Sequence, residues 1–287
     1  MTSPVVYVNG RFVPQAEARV SVLDRGFLYG DGVFETLRAY RGRIFRLLDH
    51  LERLQRSAEQ IHLSVPESMG TLETLLYEVL KRNGLADAIL RLALTRGESG
   101  GGFEMAPDAL PTLVISARPA EPLAETLYRE GVAVALIPDS APHLPGAATQ
   151  VKSANFLPYI LARKMAQDRD CWDGILLNPQ GGLCDTSTSN VFLVHEGVLK
   201  TPALNEYVLA GITRKVVLEL ARRLGISTLE MPLGADDLHQ ADEAFLTNTG
   251  IELLPVTRVD THPIGSGRPG PMTEKLHREF LKSIESL

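Results

Sequence analysis

The chain has 287 residues, 44% of them hydrophobic and 22% charged, a composition that can bury one large core or two moderate ones and that excludes wholesale disorder. A net charge of −6 without any Lys/Arg cluster excludes a nucleic-acid surface, and no apolar run reaches the roughly 18 residues of a membrane span. Cys171 and Cys184 lack Cys-x-x-Cys spacing, which argues against a disulfide scaffold or a zinc site; with no signal-like stretch over Met1 to Gly10, the expectation is a cytoplasmic protein with small-molecule partners and no membrane.

Val5 to Val8, Asn9-Gly10 and Arg11 to Val13 predict a two-strand hairpin on a type I′ turn. A second hairpin is expected from Val33 to Tyr40, turning at Arg41-Gly42 and returning over Arg43 to Leu47. Leu47, Leu51, Leu54, Ala58 and Ile61 recur at helical spacing, as do Leu72, Leu75, Leu76, Val79 and Leu80 before Asn83-Gly84. Strands are expected at 88–95 and 112–117. The proline-rich Arg118-Pro119-Ala120-Glu121-Pro122 has no periodicity and predicts a linker over 118–123, between a small N-terminal domain (1–117) and a larger C-terminal domain (124–287). The second domain should contain a strand at 132–137, a helix after Lys152, hairpin strands around Ile175 to Leu177 and Val191 to Val194, a helix from Thr213 to Leu224, and strands near Ile226 and Phe245. The fold class is α+β in both domains.

Lys152 is the residue that suggests chemistry. It stands alone in Val151-Lys152-Ser153-Ala154-Asn155-Phe156-Leu157, with no other formal charge between His143 and Arg163. If that segment packs inside the fold, the ammonium loses water and its pKa falls from about 10.4 toward 7 or 8, giving an amine able to attack a carbonyl. Gly211-Ile212-Thr213 opens a helix with an apolar stripe at Val216, Val217, Leu220 and Leu224; free N–H groups and the helix dipole there favour a phosphate, although a plain N-cap would look the same. Thr247-Asn248-Thr249-Gly250 follows an apolar strand and is placed to close over the same anion, or simply to turn. Asp185, in the polar run Cys184-Asp185-Thr186-Ser187-Thr188-Ser189-Asn190, offers a carboxylate for a ring nitrogen. An amine, a phosphate cup and a carboxylate are the three parts that pyridoxal 5'-phosphate requires.

In that order, Val-Lys-Ser-Ala-Asn, Cys-Asp-Thr-Ser-Thr-Ser-Asn-Val-Phe, Val-Leu-Ala-Gly-Ile-Thr-Arg and Ala-Asp-Glu-Ala-Phe-Leu-Thr-Asn-Thr resemble the class IV aminotransferases, the fold-type IV pyridoxal-phosphate enzymes. The resemblance runs from Tyr29-Gly30-Asp31-Gly32-Val33-Phe34-Glu35 to Gly267-Arg268-Pro269-Gly270-Pro271. It implies a two-domain fold-type IV enzyme, with a small N-terminal α/β domain, a larger domain built on a barrel-like sheet, and a homodimeric assembly. It makes Lys152 the Schiff-base lysine and proton shuttle, and Arg53, otherwise readable as a solvated helix residue, a clamp on the cofactor phosphate. Ile212, Thr213 and Thr249 supply further phosphate contacts, Gly211 and Asn248 are cofactor-binding beside them, Leu209 packs on the ring, and Asp185 partners the pyridine nitrogen where the family usually has glutamate.

Substrate contacts are expected from Tyr29, Phe34, Thr36 and Arg38 and from the loop around Gly97 to Gly102, where Gly101 and Phe103 replace the Arg-x-His pair of D-amino-acid aminotransferases. That loop also lacks the arginine of aminodeoxychorismate lyase, and Leu157 stands where branched-chain enzymes carry a tyrosine. The activity expected is a ping-pong transaminase passing the amino group of a small, mainly hydrophobic amino acid, branched-chain-like or D, to a 2-oxo acid. The alternatives are the lyase, yielding 4-aminobenzoate and pyruvate, and a non-catalytic binder of the cofactor. Scattered histidines without His-Glu-x-x-His argue against a metal, and no Gly-x-x-x-x-Gly-Lys-Ser/Thr supports a nucleotide. His50 and His195 read as ordinary helix and turn residues.

Overall fold

The computed structural model describes residues 3–99, 102–105, 109–138, 140–144, 146–147 and 150–286. It contains two compact units: residues 1–121 with 151–155, and residues 122–150 with 156–287.

In the first unit β1 (Val5–Val8) and β2 (Arg11–Pro14) form the expected hairpin, with Asn9 and Gly10 both at positive φ as a type I′ turn demands. A short helix α1 (Arg25–Tyr29) leads into β3 (Gly32–Tyr40), whose return strand β4 is only Arg43–Ile44. The strand stops early because Arg46 takes a left-handed φ of 51° and starts α2 (Leu47–Gln60) at Leu47. Helix α3 (Met69–Arg82) is capped by the Ser68 hydroxyl on the Thr71 N–H. Strands β5 (Ala88–Thr95) and β6 (Thr112–Pro119) complete an antiparallel six-stranded sheet in the order β2-β1-β6-β5-β3-β4. Strand β6 continues through Arg118 and Pro119, which pair with Ile89 and Ala88. Period-two alternation puts Glu35, Leu37, Leu90, Leu92 and Ile115 on the face covered by α2 and α3, all of them completely buried. Phe34, Thr36 and Arg38 share the opposite face.

The second unit begins with α4 (Glu125–Glu130) and β7 (Val132–Ile137). It continues through α5 (Leu157–Gln167), β8 (Asp173–Leu177), β9 (Leu183–Thr186), β10 (Asn190–His195) and β11 (Val198–Pro202). Then come α6 (Ile212–Arg223), β12 (Thr228–Met231), α7 (Ala235–His239), β13 (Glu243–Asn248), β14 (Glu252–Val259), β15 (His262–Pro263) and α8 (Pro271–Glu285). Its nine-stranded sheet runs β12-β11-β10-β13-β14-β7-β8-β9, with β15 on β14 and parallel pairs at β11·β12, β14·β7 and β7·β8. The expected hairpin between the Ile175 and Val191 strands does not form. Strand β8 pairs with β9, while β10 pairs with β11 and β13, because the polar run before Val191 holds a strand of its own at Leu183–Thr186. Leu177, Val191, Leu193, Leu246 and Leu254 lie in one core cluster, and the small Ala162 and Ala166 of α5 let that helix pack closely on Ile137 and Leu176.

Candidate active site

The first unit holds Lys152 through its backbone. Phe34 N–H donates to the Lys152 carbonyl at 3.1 Å, Ala154 N–H donates to Gly32 at 2.8 Å, and Ser153 bridges Val33. The segment thus lies along the start of β3, and the Lys152 ammonium sits 4.7 Å from the centre of the Phe34 ring. The same ring carries the Arg91 guanidinium at 3.6 Å, since Arg91 on β5 is opposite Thr36 and next to Phe34 on the shared sheet face. Arg38, two residues beyond Thr36 on β3, lies over Tyr40 at 4.7 Å.

Behind this face Glu35 is fully buried and accepts Arg53 Nε at 2.7 Å, Arg53 Nη2 at 2.6 Å and His50 Nδ1 at 2.7 Å. His50 and Arg53 are one turn apart on α2 and converge on the same carboxylate. Burial alone would push the Glu35 carboxyl up, but the Arg53 charge and the hydrogen bonds from Arg53 and His50 outweigh it and hold the group at about 2. Burial lowers the His50 imidazole, with the Arg53 and Lys152 charges adding to the effect against the opposing pull of Glu35. The reading of Arg53 as a solvated helix residue is therefore wrong: its guanidinium plane is fixed in the interior.

Asp31 accepts both Arg25 and Arg96, and Arg25 also donates to the Gly102 carbonyl at 2.9 Å, which ties the loop after β5 to α1. Tyr29 and Phe103 meet ring to ring at 5.5 Å, with Arg25 over Tyr29. Gly101 lies outside the described residues.

In the second unit Asp185 on β9 is buried, taking Asn190 Nδ2 on Oδ1 and the Leu209 N–H on Oδ2, each at 2.8 Å. Burial, then the Asp185 carboxylate, push the Tyr159 phenol on α5 above its ordinary range. Helix α6 starts after Gly211 with no side-chain cap among the described residues, so the first-turn N–H groups at Ile212 and Thr213 are presented by a buried helix start. Gly211 is required there: a Cβ would lie 1.9 Å from Asn190 Oδ1. Asn248 is committed to its own turn, with Oδ1 on the Gly250 and Ile251 N–H groups and Nδ2 on Ser189, and this turn presents Thr249. On β13, opposite Asn190, the Thr247 hydroxyl is buried with no hydrogen-bond partner among the described residues.

The sequence reading missed Arg91, Glu35, His50 and Asn190. For Arg91 the signal was a lone charge in the apolar strand Ala88–Thr95; for Glu35 it was a carboxylate in an apolar strand, followed by His-x-x-Arg on a helix.

Residues 32–259 match the family Amino-transferase class IV. The chain belongs to the class IV aminotransferases. A Methanocaldococcus jannaschii protein provisionally assigned as a branched-chain-amino-acid aminotransferase is 38% identical over 277 residues, covering 96% of this chain and 94% of the relative. The D-alanine aminotransferase of Listeria innocua is 35% identical over 97% of this chain and 96% of its own length. Among solved structures, the Escherichia coli branched-chain amino acid aminotransferase superposes with a TM-score of 0.93 at 29% identity, covering 98% of this chain and 94% of that one. The branched-chain amino acid aminotransferase of Thermobaculum terrenum, in its PLP form, gives a TM-score of 0.87 at 26% identity, over 98% of this chain and 94% of that one. This class IV aminotransferase is thus an enzyme with the α+β architecture of those transaminases. Among the described residues no helix is long and apolar enough to cross a membrane.

Proposed function

We propose that this aminotransferase uses pyridoxal 5'-phosphate to move the amino group of a small, mainly hydrophobic amino acid to a 2-oxo acid in a ping-pong cycle. The observation that carries the reading is Lys152, pinned by its backbone to β3 with its ammonium over Phe34. The donor set fits the cofactor: an amine on a fixed backbone, a buried carboxylate, and, among the described residues, a helix start without a side-chain cap and a buried hydroxyl at Thr247 without a partner.

Lys152 would hold the cofactor covalently, and Arg53, Ile212, Thr213 and Thr249 would hold its phosphate, with Leu209 on the ring face. The Asp185 carboxylate would keep the ring nitrogen protonated, so that the bound cofactor would supply an electron sink for the pair left when the α-proton departs. Lys152 Nζ, freed by the incoming amine, would take that proton from the α-carbon and deliver it to C4′ of the cofactor, which leaves the donor as its oxo acid after hydrolysis. Phe34 offers an apolar wall to the side chain, while Arg91 and Arg38 on the same sheet face bring positive charge for the carboxylates of an acid such as 2-oxoglutarate. The relatives' names, branched-chain and D-alanine aminotransferase, fit a small aliphatic donor.

Val22, Leu23 and Phe27 are 70%, 54% and 73% exposed, an apolar stretch suited to a second copy of the chain in a homodimer. A cytoplasmic setting is part of the same proposal.

The test is the visible absorption of the reconstituted enzyme during titration with L- and D-amino acids. Bleaching of the visible band by one hand of a branched-chain amino acid or of alanine, restored by 2-oxoglutarate, is the expected result. Release of pyruvate and 4-aminobenzoate from an aminated chorismate, with no response to amino acids, would replace this reading with the lyase.

A further inference from the structure

Asn190 opens β10 and is only 5% exposed. Its Nδ2 donates to Asp185 Oδ1 at 2.8 Å and to the Leu209 carbonyl at 2.9 Å, while the Leu209 N–H returns to Asp185 Oδ2 at 2.8 Å. Carboxylate, side-chain amide and backbone amide therefore close a ring in which each member fixes the other two. The far end of the amide, Oδ1, abuts Gly211, and the Gly211 N–H bonds the same Leu209 carbonyl at 2.8 Å. A planar amide has its donors and acceptor at fixed separations, so one rigid side chain spans from the carboxylate to the residue that starts α6.

An aspartate has a shorter reach than a glutamate, and a shorter carboxylate contacts a ring nitrogen only if its place is set closely. Fixing a contacting group through a buried hydrogen-bond partner is how supporting residues tune binding sites generally. We infer that Asn190 is the positioning residue for Asp185, fixing the shortened carboxylate at a set distance from the start of α6, so that the ring nitrogen and the phosphate of one cofactor molecule are gripped together. The inference rests on the proposed roles of Asp185 and α6.

The experiment is a double-mutant cycle on the dissociation constant of pyridoxal 5'-phosphate, measured by equilibrium dialysis on Asn190→Ala, Asp185→Ala and the double variant, with Tm recorded for each. Asn190→Ala is expected to loosen the cofactor by roughly tenfold or more, the scale on which supporting hydrogen bonds act. The double variant should fall short of the product of the two single losses by at least about fivefold, because an Asn190 acting through Asp185 has nothing to position once the carboxylate is gone. Asn190→Asp keeps the volume, replaces the donor with a second carboxylate facing Asp185, and should loosen the cofactor at least as much; it carries the same cycle should the alanine variant not fold. Affinities within about twofold of the parent in both Asn190 variants, whatever happens to Tm, or losses that multiply in full, would overturn the positioning role. Unchanged affinity in Asp185→Ala alone would instead remove Asp185 from the site, so the two failures are distinguishable.

Discussion

Arg53 grips Glu35 with two parallel hydrogen bonds, Nε to Oε1 at 2.7 Å and Nη2 to Oε2 at 2.6 Å, inside the helix-covered face of the first sheet. Such a fork is strong because both partners are charged and planar, and it is costly to break because neither group can be rehydrated in place. His50, bonded to the same carboxylate, closes the group. The arginine proposed to hold the phosphate is thus set by two residues of its own unit before any ligand arrives.

Acid stability follows from that fork. The folded-state value of Glu35 lies at about 2, below its ordinary 4.5, so its contribution is fully present above pH 4.5 and is lost as the pH falls toward 2. The displacement corresponds to about 3 kcal/mol. Urea unfolding followed across this window should show the parent losing stability, and Glu35→Gln should be destabilised by about 3 kcal/mol or more at pH 7, because it leaves the Arg53 charge buried beside a neutral group. A glutamine variant as stable as the parent at pH 7 would contradict the fork's importance.

At Asp185, exchange to asparagine keeps the shape and removes the charge. Turnover should fall by roughly 100-fold, the scale of losing one preorganised electrostatic contact. Steady-state kinetics with a saturating donor decide this, and an unchanged kcat would take Asp185 out of the chemistry.

Gly211 has an ordinary φ of −65°, so an alanine there is opposed by crowding and not by backbone strain. Its Cβ would stand 1.9 Å from Asn190 Oδ1, and the start of α6 must shift to relieve it. Gly211→Ala should bind pyridoxal 5'-phosphate roughly tenfold more weakly and lose about 1–3 kcal/mol of stability. Equal affinity for the cofactor would show that the helix start is not part of its site.

Arg91 presents its charge on the same Phe34 ring as Lys152. Removing it in Arg91→Ala should raise KM for a dicarboxylic 2-oxo acid by about 10- to 100-fold, the worth of a charged hydrogen bond, and leave a monocarboxylic one much less affected. Comparison of 2-oxoglutarate with 2-oxoisocaproate measures the difference.

Much of this was legible in the chain. The Asn9-Gly10 hairpin, the α2 and α6 helices and the lysine, carboxylate and helix-start triad each rest on local patterns, and local patterns are what a sequence exposes directly. What was not legible depends on pairing between distant strands. Nothing near Ile175 or Val191 says that Leu183–Thr186 takes the neighbouring place beside β8. Likewise Arg53 looks solvated in a helix whose sequence is rich in charge, and only the register of β3 against α2 shows Glu35 waiting beneath it. Asn190 was hidden in a polar run where nearly every side chain could cap a turn; its role appears only once Leu209 and Gly211 are brought to it.

Whether Lys152 carries the cofactor is read out by borohydride reduction of the enzyme reconstituted with pyridoxal 5'-phosphate, followed by peptide mass spectrometry. One reduced adduct is expected, on the peptide containing Lys152, and none in Lys152→Ala. An adduct on another lysine of the parent enzyme, or no adduct at all, would rule Lys152 out as the attachment site.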